Sequence, residues 1–255
     1  MPVVALVLAA GSGRRLGAAV PKAFASLGGE TVLSLAVRAV AAGGADRIVV
    51  VVPPDAVGEA ATALAALRGH ALPAGPPPIV AGGATRVDSA RLGLGAVPGT
   101  DDDVIVVHDA ARPFAAPALF RRVVEAIDAG ADAATASLPS TDTLAEAEGS
   151  PDDAERRVVD VPDRTRLLRV QTPQAFRRSV LELAHARAAA AHDTSSTDDC
   201  GLVLRHVPDA RVVAVAGEER NAKITTPDDL ARARSRLHAH GTEPGAAPTA
   251  DPTSG

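Results

Sequence analysis

"VVALVLAAGSGRR", residues 3–15, decides the fold. Val3 to Leu8 is continuously apolar and partly β-branched, the composition of a strand covered on both faces. The run ends in a turn bearing Gly11 and Gly13, then Arg14 and Arg15, with Pro21 and Lys22 a few residues on. Glycines allow a tight turn with outward N–H groups, and cations beside it suit a polyanion such as a nucleoside triphosphate. Gly17 comes one residue late for the dinucleotide G-x-G-x-x-G pattern, and the Gly-Lys-Ser/Thr ending of a P-loop is absent. A plain strand-to-helix turn with solvated arginines is the alternative. The combination of glycine turn, arginine and Pro-Lys weighs against it.

Outward from this strand, apolar runs alternate with Ala-rich amphipathic stretches, the pattern of a parallel sheet with crossover helices. "TVLSLAVRAVAA" puts Val32, Leu33, Ala36, Val37 and Val40 on one helical face. Strand "RIVVVV", a helix over about Ala56 to Leu67, short strand "IVAGG" and a third helix, "TRVDSARLGLGAV", follow. Strand "VIVVHD" then delivers Asp109 at its carboxyl end, where open α/β sheets place ligand chemistry. A further helix and strand run through "PALFRRVVEAI" and "DAATASL". From Pro139 to about Arg169 the alternation gives way to polar sequence around an acidic Gly-Ser-Pro turn, which reads as a hairpin arm leaving the main body. "TTPDDLARARSRL" is a final helix with Thr226 as cap and Pro227 at its first position. Residues 1–240 read as one domain, and 241–255 lack the apolar content to fold.

Composition narrows the function. With 255 residues, four Phe and no Trp or Tyr, the core is built from aliphatic side chains, and stacking platforms for single-stranded nucleic acid are lacking. A net charge of −5 gives no general attraction to nucleic acid or anionic membrane, so an anion must be held by a local cluster. The single cysteine, Cys200, excludes an internal disulfide and fits a reducing compartment. No run approaches membrane-spanning or signal-peptide pattern, and the expected location is the cytoplasm.

Further motifs join the glycine turn. "GGATRVDSARLGL" offers a second glycine loop, Gly82-Gly83, opening a helix with Arg86 and Ser89; it reads as a plain helix start or as a surface for a pyrimidine edge. "VHDAARPF" adds Asp109 and Arg112. Asp109 is a helix cap in the plain reading, and beside a triphosphate loop a candidate for Mg²⁺ or a ribose hydroxyl, with Arg112 able to hold a second anion. His108 reads as structural. "DRTRLLRVQTPQAF", "TSSTDDCGL" and "ERNAKITTPDDL" each say little alone: Thr172-Pro173-Gln174 suits a turn, Thr197-Asp198 a helix start, and Lys223 an exposed charge.

In this order, from about Val3 to Leu237, the motifs closely resemble the 2-C-methyl-D-erythritol 4-phosphate cytidylyltransferase family of the non-mevalonate isoprenoid pathway. The resemblance implies a Rossmann-like nucleotidyltransferase fold: a mostly parallel central sheet, helices on both faces and a protruding β-arm over about 139–169. It implies that Ala9, Ala10, Gly11 and Gly13 bind CTP phosphates, with Arg15, Lys22 and Lys223 catalytic. Gly82, Gly83 and Ser89 would surround cytosine, and Asp109 with Ala110 would lie at the ribose. Asp109, Arg112, Thr143, Arg164, Thr172, Thr197 and Lys223 would bind the substrate polyol phosphate, with Asp109 as the Mg²⁺ ligand. It also implies a homodimer in which the arm carries Arg164 to the neighbouring site. The rivals are a cytidylyltransferase for another polyol phosphate, such as ribitol 5-phosphate, and a nucleotide-binding module without catalysis. Neither nucleic acid nor membrane is an expected partner.

Overall fold

A computed structural model describes residues 1–11, 21–67, 72–150 and 152–241, with side chains to residue 237. Gly13, Arg14, Arg15 and the tail 242–255 lie outside the described residues. In chain order the elements are β1 (Val3–Leu8), β2 (Ser26–Leu27), β3 (Glu30–Thr31), α1 (Val32–Ala42), β4 (Arg47–Val52), α2 (Val57–Ala65), β5 (Ile79–Ala81), α3 (Arg86–Gly95), β6 (Val104–Asp109) and α4 (Pro117–Asp128). They continue with β7 (Ala133–Pro139), β8 (Glu146–Ala147), β9 (Val158–Asp160), β10 (Leu168–Arg177), α5 (Arg178–Ala190), α6 (Asp199–His206), β11 (Val212–Ala216) and α7 (Pro227–Gly241).

Among the described residues, seven strands form one sheet in the order β11-β7-β10-β6-β1-β4-β5. β1 pairs in parallel with both β4 and β6, β4 with β5, and β11 with β7. From β1 the chain winds outward through β4 to β5, then returns through α3 to lay β6 on the other side of β1. The direction of winding reverses there, which opens a crevice beyond the carboxyl ends of β1 and β6.

β1 alternates within this sheet. Val4, Leu6 and Leu8 pack on one face with α3, α5 and α6, and Ala5 and Val7 pack on the other with α1, α2 and α4. This double cover is why its sequence is an uninterrupted apolar run. The low aromatic content shows in the same layers, where Val, Leu, Ile and Ala fill nearly all of the space.

β10 is a strand that the sequence reading did not place. It runs antiparallel between β6 and β7, so the sheet is mixed rather than wholly parallel. Thr172-Pro173-Gln174, expected as a turn, lies inside it, joined by a cis Thr172-Pro173 bond, and its pairing with β7 shifts between Val170 and Gln174. Proline cannot donate to a ladder, which is why the segment carries a turn signature in sequence. Between β7 and β10, β8 and β9 pair antiparallel, and nearly every residue from Ser140 to Val170 is exposed or half-buried. Thr226 caps α7 as expected, its hydroxyl accepting from the Asp229 N–H at 3.2 Å. That helix continues through Gly241, the first residue of the expected tail.

Candidate functional site

A cavity of about 540 Å³ occupies the crevice at the ends of β1 and β6. Ala9, Ala10 and Gly11 form one wall as the chain leaves β1, and Lys22 and Ala23 close it from the short helical turn that follows Pro21. Gly83, Thr85, Arg86 and Ser89 supply the opposite wall at the start of α3, and Asp109, Ala110 and Ala111 lie at the end of β6. Lys223 and Thr225 enter from the loop before α7.

Two glycines set how closely the walls approach. A Cβ on Gly82 would stand 2.8 Å from both the Ala10 Cβ and the Ser89 Oγ, so the two glycine loops touch only because this residue has no side chain. Ser89 is buried. It braces the second loop, accepting from the Gly83 N–H at 3.1 Å and donating to the Thr85 carbonyl at 2.9 Å. Thr85 caps α3 by accepting from the Asp88 N–H, and the first turn of that helix lines the cavity with Arg86 and Ser89.

Asp109 is the electrostatic centre. Its Oδ2 accepts from Lys223 Nζ at 2.6 Å, and its Oδ1 lies 3.7 Å from Arg86 Nη2. Burial alone would raise its pKa. The charges of Lys223 and Arg86, the Lys223 hydrogen bond and Arg112 outweigh burial and hold the carboxyl well below the usual range, so it is ionised. Arg86 is in turn held by Asp199 on α6, with Nη1 at 2.7 Å from Oδ2.

Lys223 owes its position to a buried network. Asn221, fully buried, donates from Nδ2 to Gln171 Oε1 at 3.1 Å and to the Thr172 carbonyl at 2.8 Å. Ile224 packs with Leu27, Val32 and Leu230, joining the Lys223 loop to the β2–β3 hairpin beside Lys22. The Ile224 N–H donates to the Ala111 carbonyl at 2.8 Å.

Other sequence-predicted residues stand elsewhere. Arg112 is not among the cavity-lining residues; its Nη1 donates to the Asn221 carbonyl at 2.8 Å and its Nη2 to the Val170 carbonyl at 3.4 Å, bracing the loop that carries Lys223. Thr172 is buried under Asp109, its Oγ1 accepting from the Asp109 N–H at 3.0 Å and meeting His108 Nδ1 at 3.2 Å. His108 also bonds the Arg112 carbonyl and packs its ring edge-on to Phe120. Burial lowers its pKa to about 4, leaving it neutral and structural, as expected from the sequence. Thr197 is exposed just before α6. Thr143 and Arg164 are exposed in the segment between β7 and β10, where Arg164 Nη1 donates to the Thr141 carbonyl at 3.3 Å.

Arg86, Asp199, Asn221 and Thr225 were not among the predicted site residues. One signal in the sequence bears on the site without any geometry: the chain has 24 arginines and two lysines, Lys22 and Lys223. Both lysines line this cavity. At these two positions the cation is a compact ammonium rather than a planar fork.

A sequence model of 2-C-methyl-D-erythritol 4-phosphate cytidylyltransferase (IspD) matches residues 3–239. The chain is 44% identical over 235 residues to the 2-C-methyl-D-erythritol 4-phosphate cytidylyltransferase of Rhodococcus jostii, covering 92% of this chain and 94% of that protein. It is 47% identical over 238 residues to the bifunctional enzyme IspD/IspF of Anaeromyxobacter dehalogenans, covering 93% of this chain and only 57% of that longer protein. Among solved structures, the 4-diphosphocytidyl-2C-methyl-D-erythritol synthase of Anaerococcus prevotii superposes with a TM-score of 0.75 at 28% identity, covering 93% of this chain and 98% of that one. The 2-C-methyl-D-erythritol 4-phosphate cytidylyltransferase of Thermus thermophilus gives 0.69 at 33% identity, covering 93% and 100%. A match that runs from the first strand into the last helix takes in every wall of the cavity, and this chain belongs to the IspD family, the 2-C-methyl-D-erythritol 4-phosphate cytidylyltransferases.

Proposed function

We propose that the chain transfers CMP from CTP to 2-C-methyl-D-erythritol 4-phosphate, releasing pyrophosphate. The observation that carries this reading is the convergence of the glycine turn, Lys22, the Gly83–Ser89 loop, Asp109 and Lys223 on one cavity. An acceptor phosphate oxygen attacks the α-phosphorus of CTP; the new O–P bond forms as the bond to the β-phosphate oxygen breaks, and pyrophosphate leaves with the electron pair. The acceptor phosphate is already ionised at neutral pH, so no protein nucleophile is required. Alignment and charge neutralisation are what the site supplies.

Backbone N–H groups of Ala10 and Gly11, continued by Gly13, hold the triphosphate, on a turn that starts at Ala9, whose own N–H is donated to the Val51 carbonyl. Arg15 and Lys22 stabilise charge that moves onto the leaving pyrophosphate. Gly82, Gly83 and the loop braced by Ser89 receive the cytosine edge, and Asp109 and Ala110 lie at the ribose. Lys223 orients the acceptor phosphate together with Thr197; Thr172 and Arg112 act through the Asp109 backbone and the Lys223 loop that they brace, and Thr143 comes with the arm.

Asp109 is the sole carboxylate among the described lining residues, and no group of three His, Cys, Asp or Glu side chains there could hold a metal ion without other ligands. Mg²⁺ commonly takes one or two protein carboxylates and completes its shell with phosphate oxygens and water, so Asp109 together with a bound triphosphate is a fitting donor set. Mg²⁺, or another divalent cation, would supply neutralisation of the triphosphate charge.

The arm completes the reading. Leu144, Val158, Val159, Val161, Leu168 and Val170 are large apolar side chains left exposed on it or at its base. A hairpin of this size is marginal alone, and packing against the same segment of a second copy would cover it and bring Arg164 to the neighbouring acceptor phosphate. Among the described residues no helix is long and apolar enough to cross a membrane, and we place the enzyme in the cytoplasm.

The test is pyrophosphate release with CTP, Mg²⁺ and 2-C-methyl-D-erythritol 4-phosphate, with the product identified by mass. Preference for ribitol 5-phosphate in direct competition assigns a different acceptor. No release with either polyol phosphate leaves a binding module.

A further inference from the structure

Four charged side chains stand in an alternating row, three of them lining the cavity and Asp199 behind it. Asp199, wholly buried, accepts from Arg86 Nη1 at 2.7 Å; Arg86 Nη2 is 3.7 Å from Asp109 Oδ1; Asp109 Oδ2 accepts from Lys223 Nζ at 2.6 Å. His185 on α5 ends the row, with Nε2 3.4 Å from Asp199 Oδ1. Arg86 Nη2 and Asp199 Oδ1 are both buried without a hydrogen-bond partner.

Each half of this row is electrically closed. Arg86 is neutralised by Asp199 and Lys223 by Asp109. A lysine already spent on a carboxylate offers little net charge to a doubly ionised phosphate. As Lys223 turns to the acceptor, Asp109 loses a hydrogen-bonded cation; a divalent cation on the triphosphate would offset part of that charge, and Arg86 Nη2, which has no hydrogen-bond partner, lies 3.7 Å from the other carboxylate oxygen. Closing the 3.7 Å separation by roughly 1 Å brings it to charge-assisted hydrogen-bond length. Asp199 explains why Arg86 waits there. A buried carboxylate behind a polyphosphate site opposes anion binding, and its use is to pin the guanidinium by one nitrogen while the other remains available.

We propose that Arg86, anchored by Asp199, is a positioning residue that takes over the Asp109 carboxylate as Lys223 turns to the acceptor phosphate. This rests on the role given to Lys223 above. The row then works as a partner exchange: Asp109 trades the Lys223 hydrogen bond for one from Arg86, the Asp199–Arg86–Asp109 triad left behind carries one net negative charge, and the ammonium of Lys223 is released to the substrate.

The two-lysine composition makes the exchange directly visible. Protein carrying ¹³Cε/¹⁵Nζ-lysine gives two side-chain signals, assigned by Lys22→Arg. In wild type, adding 2-C-methyl-D-erythritol 4-phosphate with the unreactive α,β-methylene analogue of CTP shifts the Lys223 signal, and in Arg86→Gln the shift is reduced or lost. Arg86→Gln also lowers kcat/KM for the acceptor by about tenfold or more while the dissociation constant for CTP changes by less than about threefold, and Arg86→Lys recovers part of the loss. Asp199→Asn moves the same quantities in the same direction. Equal Lys223 shifts in wild type and Arg86→Gln overturn the proposal, as does a Lys223 signal that never moves. So does CTP binding that weakens as much as acceptor kcat/KM, which makes Arg86 a direct nucleotide ligand. If Asp199→Asn does not fold, the Gln and Lys replacements of Arg86 carry the test alone. Normal acceptor kinetics in Lys223→Ala overturn the role of Lys223 itself; a defect there with silent Arg86 variants overturns only the exchange.

Discussion

Lys223 and Asp109, 114 positions apart in the chain, meet at 2.6 Å across the floor of the cavity. One comes from a loop pinned by Asn221 and the other from the end of the central strand β6, so the contact ties the last third of the chain to the strand that bears the site. Lys223→Ala removes the ammonium and leaves Asp109 with Arg86 as its nearest cation. The expected result is a loss of about 10²-fold or more in kcat/KM for the acceptor, larger than any change in CTP affinity, measured by steady-state kinetics beside nucleotide titration. Loss confined to CTP binding would move Lys223 to the nucleotide side of the reaction.

Lys22 is expected to act on charge that develops as pyrophosphate leaves. Lys22→Ala should lower kcat by about 10²- to 10³-fold with CTP still binding measurably. The composition adds a chemical check. Pyridoxal phosphate followed by borohydride should modify Lys22 and Lys223 as the chain's lysine targets, with activity falling in step, and CTP should protect both positions in peptide mass maps. Full activity after both lysines are modified removes them from the mechanism.

Two glycine replacements should part in opposite directions. Gly82→Ala places a methyl group 2.8 Å from the Ala10 Cβ and the Ser89 Oγ, where the loops have no room to give, and should raise the KM for CTP by about tenfold or more. Gly58→Ala, inside α2 with nothing within 4 Å of the added carbon, should instead stabilise the fold by about 0.5–1 kcal/mol and leave kinetics unchanged. Equal effects on CTP at both positions would show that loop contact does not govern the pocket.

His108 makes stability depend on pH. Its pKa is about 4 in the folded chain against an ordinary 6.5, because burial excludes the charged ring. Unfolded chain takes up a proton below 6.5 that the folded chain refuses until about 4. Its contribution is therefore complete above pH 6.5 and is lost as pH falls toward 4, amounting to about 3 kcal/mol at the lower end. Urea unfolding between pH 7 and 4 should show a shallower decline in His108→Gln than in wild type. Parallel slopes would mean that the ring is protonated in the native state.

The shared-site reading of the arm is tested by complementation. Lys22→Ala and Arg164→Ala are each expected to be nearly inactive. In a mixed dimer with shared sites, one site carries both lesions and the other neither, so random exchange should restore about a quarter of wild-type activity. A mixture that stays inactive after demonstrated subunit exchange places Arg164 in its own subunit's site.

By itself the sequence determined that buried strands alternate with crossover helices and which strand ends bear the site. β1, β4 and β6 are legible because burial on both faces demands unbroken apolar runs, and the glycine turn and Asp109 follow from where such strands end. The two lysines were equally legible as a matter of counting. β10 was not, since its proline and polar residues carry a turn signature that pairing with both neighbours overrides. Tertiary structure alone decided which charges meet. Arg86 and Asp199, 113 positions apart, have no local pattern that pairs them, and the side of Arg112 that faces the Asn221 and Val170 carbonyls is set by how β10 and the Lys223 loop pack. Periodicity reports which face of an element is buried. The partner of a buried charge is fixed only when distant elements close on it, because an unpaired charge there costs more than the contact itself yields.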